Sequence, residues 1–353
     1  MSLTNLQSLK IGYVPYYHSL TLPGDRRRFV YYAKSRGISF EIADPAKKYD
    51  IVILSERADL SVWLRYPHGK LVFDLIDSYL ALPTLDIKSL LRGVAKFVFR
   101  QTRYPHLSYR KMIQQLCQQA AAVVCTTEEQ VKDIAPYCCN THIILDAQTM
   151  VMPDSIKTNY SSSQPFRIVW EGLPHTLATL DLIEPILQEI ALIHPVEWHI
   201  VTDLVAYRFL GVHGRIDTKN LIKKYKISKM ILHEWAEETC AEIIKSCDLA
   251  VIPLDVNDPF SAGKPENKLL LFWRMGMPVA TSATPAYRRA MDNAGVDMYC
   301  VTEEDWKKKI IECIENETYR KEMATRGAAF ASLEHCDANL LRAWDEVFSS
   351  ITE

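Results

Sequence analysis

Few of the signatures that assign a chain at sight are present. The nine cysteines, including the adjacent Cys138 and Cys139, form no C-x-x-C pair and no metal-ligand spacing. An odd count scattered in this way fits reduced thiols in a cytosol rather than a disulfide framework. The ten histidines make no H-E-x-x-H or other close ligand cluster. No run of about 18 apolar residues is long enough to span a bilayer, and no signal-peptide pattern opens the chain, so a cytoplasmic location is expected. A net charge of −2 argues against a general nucleic-acid binder, which shows a strongly basic domain. No D-x-D triplet and no internal repeat occurs, and nothing calls for a metal or an organic cofactor.

What is present fits a two-domain enzyme. The chain has 353 residues, 48% hydrophobic and 24% charged, an ordinary globular composition. Short apolar runs at Ile11–Val14, Ile51–Leu54, Leu71–Phe73, Ala122–Cys125 and His142–Leu145 alternate with helix-like segments. This is the pattern of a parallel sheet covered on both faces. The polar stretch Lys157–Pro165 interrupts it and reads as an interdomain linker. A second series follows at Arg167–Trp170, Glu197–Val201, Met230–His233, Leu249–Leu254 and Val279–Thr281. The expected division is a domain over 1–158, a second over 166–335, and a helix over 336–353. That helix is capped by Asp337 and carries Leu340, Leu341, Trp344, Val347, Phe348 and Ile351 on one stripe.

The most informative stretch is Lys264–Ser282, KPENKLLLFWRMGMPVATS. Pro265 and Asn267 mark a turn, Lys268–Met275 a buried helix, Gly276 a C-terminal cap, and Pro278 the entry to an apolar strand. Two lysines beside the N–H groups of a helix N-terminus attract a diphosphate by full and partial charge together. Just upstream, Cys247–Leu254 reads as another buried strand ending at a loop. Strand, loop, helix N-terminus and strand again place a nucleotide at the carboxyl edge of a parallel sheet.

This block resembles the C-terminal domain of GT-B glycosyltransferases, in particular the broad group-1 family of bacterial surface-glycan synthesis. The matching positions are Lys264, Asn267, Lys268, Leu269, Leu270, Phe272, Gly276, Pro278 and Val279. The resemblance extends back through Trp235, Glu237, Glu238, Asp248–Leu254 and Ile168–Gly172. It is looser over Leu71–Asp77 and Ala120–Thr127. It implies two Rossmann-like domains facing each other across a cleft, the first for an acceptor and the second for a nucleotide sugar. In the resembled fold the last helix crosses back to the N-terminal domain; by sequence alone it equally caps its own. One departure is plain. Many members carry two glutamates eight positions apart that grip the sugar and the ribose, and here those positions are Gly263 and Leu271. Leucine offers a ribose no hydrogen bond, and Glu266 is the nearest carboxylate within the turn.

The resemblance implies a donor site of Glu171, Gly172, Trp235, Glu237, Lys264, Pro265, Glu266, Asn267, Lys268 and Leu269. Lys264 matches the lysine that neutralises the departing diphosphate, a charge that develops in the transition state. Trp235 and Glu237 fall in the nucleobase region, and Gly172 is a small residue where phosphate approaches the backbone. On the acceptor side, Pro23–Phe29 leads into a helix, with Gly24 permitting close approach, Asp25 as its cap and Arg26–Arg28 near phosphate or solvent. A retaining enzyme, as implied, needs no dedicated base; an inverting one would use Asp77 or His18.

Between Ile87 and Thr127 lie seven basic residues and no acidic one. Lys88, Arg92, Lys96 and Arg100 are spaced by four, opposite Leu90, Leu91, Val94, Phe97 and Val98. Over 88–103 this describes either a helix attracted to anionic lipid at the inner face of the plasma membrane or an ordinary sheet-covering helix. The expected activity is transfer of a sugar from a UDP- or GDP-sugar to a hydroxyl of a glycan or lipid-linked acceptor, without metal. A noncatalytic GT-B partner protein and a GT-B nucleotide-sugar epimerase are the alternatives.

Overall fold

The computed structural model describes residues 6–82, 103–104, 108–149, 155–209, 213–226 and 229–352. The predicted basic helix, with Lys88, Arg92, Lys96 and Arg100, lies outside these residues. The chain forms two compact units. One comprises 1–147, 263–265 and 337–353, and the other 148–262 and 266–336.

The N-terminal unit is built on six strands: β1 (Ile11–Val14), β2 (Glu41–Ile42), β3 (Ile51–Ser55), β4 (Lys70–Asp74), β5 (Ala122–Cys125) and β6 (Thr141–Ile143). They lie in the order β2-β1-β3-β4-β5-β6, every pair parallel. β3 and β5 are buried along their whole length because helices cover both faces, which is why they read as unbroken apolar runs. β2 has two residues, Glu41 and Ile42, neither buried, and left no such run in the sequence.

Helix Asp337–Thr352 belongs to this unit. Of its predicted stripe, Leu340, Trp344, Val347, Phe348 and Ile351 are buried in the core with Phe29 and Tyr32, and Leu341 is partly buried against it. Tyr32 stacks on Phe348 and Trp344, with ring centroids 5.4 and 5.8 Å apart. Asp345 fastens the rim, accepting from the Tyr32 hydroxyl at 2.9 Å and from Arg36 at 2.5 Å.

The C-terminal unit carries β7 (Phe166–Glu171), β8 (Val196–Thr202), β9 (Val205–Phe209), β10 (His213–Asp217), β11 (Met230–Glu234), β12 (Leu249–Ile252), β13 (Val279–Ser282) and β14 (Tyr299–Cys300). The main sheet runs β11-β8-β7-β12-β13-β14, again all parallel. Counted along the chain this order is 3-2-1-4-5-6, the doubly wound arrangement of dinucleotide-binding domains. β9 and β10 form a separate antiparallel ribbon that the sequence pattern did not disclose.

Lys157–Pro165 is not a free linker. Lys157 Nζ donates to the carbonyls of Lys245 and Cys247, both at 2.9 Å. The buried Tyr160 hydroxyl donates to the Gly276 carbonyl at 3.0 Å, and Arg320 donates to the Tyr160 carbonyl. No helix or strand forms over 157–165. The stretch's own side chains bond to carbonyls elsewhere in the unit, while Arg320 and Asp248 satisfy backbone groups that a sheet or helix would have paired.

Candidate functional site

In the C-terminal unit, strand order reverses between β7 and β12, and a doubly wound sheet binds its ligand beyond the carboxyl ends of such a pair. Helix Asn267–Arg274 begins there. Its apolar side chains Leu269–Trp273 are all buried, so the helix is held from every side. Gly276, at φ 78°, ends it: Met277 N–H reaches the Phe272 carbonyl at 3.0 Å and Gly276 N–H reaches Trp273 at 2.9 Å. A side chain at Gly276 would also press on the Lys157 carbonyl, 3.0 Å from its Cβ position.

Lys268 opens this helix at the end of β7. Its Nζ donates to the Glu171 carbonyl at 2.5 Å, lies 3.3 Å from the Glu171 carboxylate, and stands over the Trp170 ring. A cation at the positive end of a helix is unfavourable alone; Glu171 offsets it here. Glu266 occupies the N-cap position, and its charge together with that of Glu171 raises the buried Tyr287 phenol, after burial itself. The Asn267 carbonyl accepts from Gln148. Leu269 is a core residue and offers a ligand only backbone.

Other donor-side residues differ in character. Gly172 packs against Trp170: a Cβ there would lie 2.7 Å from the Trp170 ring. Trp235 and Glu237 follow the end of β11, with Trp235 N–H bonded to the Thr202 carbonyl at 3.0 Å. Asp203, after β8, has its carboxyl raised by burial and then by Glu171 and Glu234. Leu271 is buried in the helix face, so no carboxylate replaces the absent glutamate at that position.

The segment Gly263–Pro265 groups with the N-terminal unit. Ser78 donates to the Gly263 carbonyl at 3.0 Å, and Lys264 Nζ pairs with Asp77 Oδ1 at 2.5 Å. Asp77 N–H in turn donates to Glu56 Oε2 at 2.9 Å. Glu56 directly follows β3. Burial, and then the charge of Asp77, pushes its carboxyl up to about 7.

Two acceptor-side expectations are corrected. Asp25 does not cap a helix; it lies inside the short helix Pro23–Arg26 and is fully buried. Its carboxylate accepts from the Tyr13 hydroxyl (2.8 Å) and from the N–H groups of Tyr16 (2.8 Å) and Tyr17 (3.2 Å), which fixes the loop after β1. Arg28 is also fully buried. It grips Asp74 in bidentate fashion, Nη2–Oδ1 at 2.6 Å and Nε–Oδ2 at 2.8 Å, and reaches Asp146 at 3.1 Å. Burial opposes its charge, and the two carboxylates outweigh that cost. Gly24 is close to a side chain, its Cβ position lying 2.6 Å from the Tyr16 ring. His18 is exposed in the loop and Arg26 half-buried.

No protein-family model and no curated protein matches the sequence. Solved structures do match its shape. HepE of Anabaena, determined with UDP-glucose, superposes with a TM-score of 0.63 at 13% identity, over 97% of this chain and 100% of that one. A glycosyltransferase of Rickettsia africae gives 0.60 at 12% identity, over 98% of both chains. TarM of S. aureus gives 0.59 at 12% identity over 84% of this chain. The chain has the GT-B fold. It spans about half of TarM, 54% of that protein's length. At these identities the likeness is one of fold.

Along the chain Lys264 precedes helix Asn267–Arg274 and Lys268 lies in its first turn, and each is held by a carboxylate of its own unit, Asp77 and Glu171. Glu56, Tyr16 and Tyr287 were not singled out by sequence. Glu56 follows an apolar strand just as Asp77 does, but nothing marks it until the neighbouring strand is known.

Proposed function

We propose that the protein is a glycosyltransferase that moves a sugar from a nucleotide sugar to a hydroxyl of a glycan or lipid-linked acceptor. The observation that carries this is Lys268 at the N-terminus of helix Asn267–Arg274, seated on β7 where the strand order reverses. Lys264, three residues before that helix, adds the second charge. The helix N-terminus and the two ammonium groups receive the diphosphate, and stabilise it most as the sugar leaves and negative charge accumulates. UDP is the preferred nucleotide, because HepE is determined with UDP-glucose. Residues 166–335 hold the donor through Glu171, Gly172, Trp235, Glu237 and 264–269; residues 1–158 hold the acceptor near His18, Gly24 and Arg26, with Asp77 beside Lys264 at the reacting centre. The acceptor hydroxyl attacks on the face from which the phosphate departs, so the sugar keeps its anomeric configuration and the departing phosphate takes the acceptor proton. With lysines supplying the charge, no metal is needed. Gly263 and the buried Leu271 favour a second reading, a noncatalytic partner of GT-B form.

Turnover of a nucleotide-sugar panel in excess EDTA tests these readings together. The expected result is transfer that survives EDTA and falls roughly 100-fold in Lys264→Ala, as for loss of one preorganised charge donor. Activity that returns only with Mg²⁺ or Mn²⁺ contradicts the charge assignment. No turnover with any donor favours the noncatalytic reading.

A further inference from the structure

In the N-terminal unit the strand order reverses between β1 and β3. Tyr16 follows the first and Glu56 the second, so both lie where a doubly wound sheet opens its ligand crevice. Three links join Glu56 to the candidate phosphate ligand. Its Oε2 accepts the Asp77 N–H at 2.9 Å, the Asp77 carboxylate holds Lys264 Nζ at 2.5 Å, and Ser78 binds the Gly263 carbonyl at 3.0 Å. Tyr109 anchors the same corner by donating to the Glu56 carbonyl at 2.8 Å. The groups facing the Glu56 carboxyl are Asp77, Asp74 and Lys264, with the phenols of Tyr16 and Tyr109. Asp74 is already engaged by Arg28. The Tyr16 hydroxyl is buried without a hydrogen-bond partner among the described residues, and Glu56, Asp74 and Asp77 raise its phenol after burial itself.

We propose that Glu56 is a positioning residue which, by taking up a proton, lets Lys264 pass from Asp77 to the donor diphosphate. This rests on Lys264 being the diphosphate ligand. In the structure the ammonium sits on Asp77 and compensates two carboxylates at once. A diphosphate competes for that ammonium. When Lys264 turns to phosphate, Asp77 and Glu56 are left facing each other without their cation, and two carboxylates in one site retain a proton between them. The proton comes from solvent; no covalent bond other than the new O–H changes. Glu56 is the member already close to neutrality, since burial and Asp77 push it to about 7 while Lys264 pulls it down. Donor binding is therefore accompanied by proton uptake and weakens as pH rises above about 7, by up to about tenfold per pH unit.

Calorimetry with UDP near pH 8, where its terminal phosphate is already ionised, tests this in HEPES and in Tris. These buffers differ in ionisation enthalpy, so proton uptake shows as a difference in apparent heat. The expected result is uptake of a substantial fraction of one proton by the wild type, and none by Glu56→Gln, whose affinity is then flat between about pH 7 and 8.5. Binding with equal heat in both buffers, or with the same uptake in Glu56→Gln, overturns the coupling and leaves the donor reading standing. No binding in either buffer overturns the donor reading and the coupling with it. Should Glu56→Gln not fold, the buffer dependence of the wild type decides alone.

Discussion

Single residues in this chain divide by what compensates their charge. Arg28 and Asp25 precede a helix near the edge of the sheet and resemble ligands in sequence, yet each is buried with its partners already supplied. Removing one member of a buried pair such as Arg28–Asp74 costs about 3–5 kcal/mol, because the other stays charged in the core. Such a side chain is structural whatever its position in a motif. Glu56 is the opposite case, a carboxyl whose surroundings favour its neutral form. Its ordinary value of 4.5 is raised to about 7, so between those values the folded protein keeps a proton that the unfolded chain has released. Its contribution to stability thus declines as pH rises through that window. Glu56→Gln, which keeps an oxygen for the Asp77 N–H, is expected to melt a few degrees above the wild type near pH 8.5 and level with it near pH 4. Equal melting at both pH values would show Glu56 to be an ordinary ionised carboxylate. Lys264 and Lys268 were legible because they flank a turn and helix of recognisable spacing. Glu56 was not, since Ile-Leu-Ser-Glu carries no sign of which strands lie beside it.

Helix Asn267–Arg274 shows what an element adds. Its ends were readable from Pro265, Asn267 and Gly276, and its depth of burial from an apolar run on all sides. What holds it was not. Trp273 lies against helix Glu317–Glu334 exactly where Gly327 has no side chain: a Cβ on Gly327 would stand 2.4 Å from the Trp273 ring. Phe330 closes the contact edge-on, its ring centroid 5.9 Å from that of Trp273. Gly327→Ala is therefore expected to destabilise the protein by about 1–3 kcal/mol through overpacking, and to weaken UDP binding by displacing the start of the helix. Pairing it with Trp273→Leu should recover part of the melting temperature. If Gly327→Ala melts like the wild type, the two helices adjust freely and the site helix is not fixed by this contact. Elements invisible to the sequence share a reason. β2 and β14 have two residues each, too few for a period, and the β9–β10 ribbon pairs only with itself. Long buried strands announce themselves; short edges do not.

At the scale of the molecule, two doubly wound units arise from two alternating series separated by a polar stretch, and that much was legible. Strand order was not, because pairing depends on contacts far apart in sequence: β7 lies between β8 and β12, whose registers join residues 30 and 81 positions away. Yet strand order is what gives the candidate residues their meaning, since it puts Lys268 and Glu171 at one reversal point and Tyr16 and Glu56 at the other. The central claim is that a donor diphosphate is held by Lys264, Lys268 and the helix start without metal. Thermal unfolding in excess EDTA, with and without UDP, measures it most directly in the wild type and Lys264→Ala. A ligand that binds only the folded state adds about 2.7 kcal/mol at a hundred times its dissociation constant. The expected result is a rise in melting temperature with UDP in the wild type that is largely lost in Lys264→Ala. No rise with UDP, or the same rise in both proteins, would contradict it.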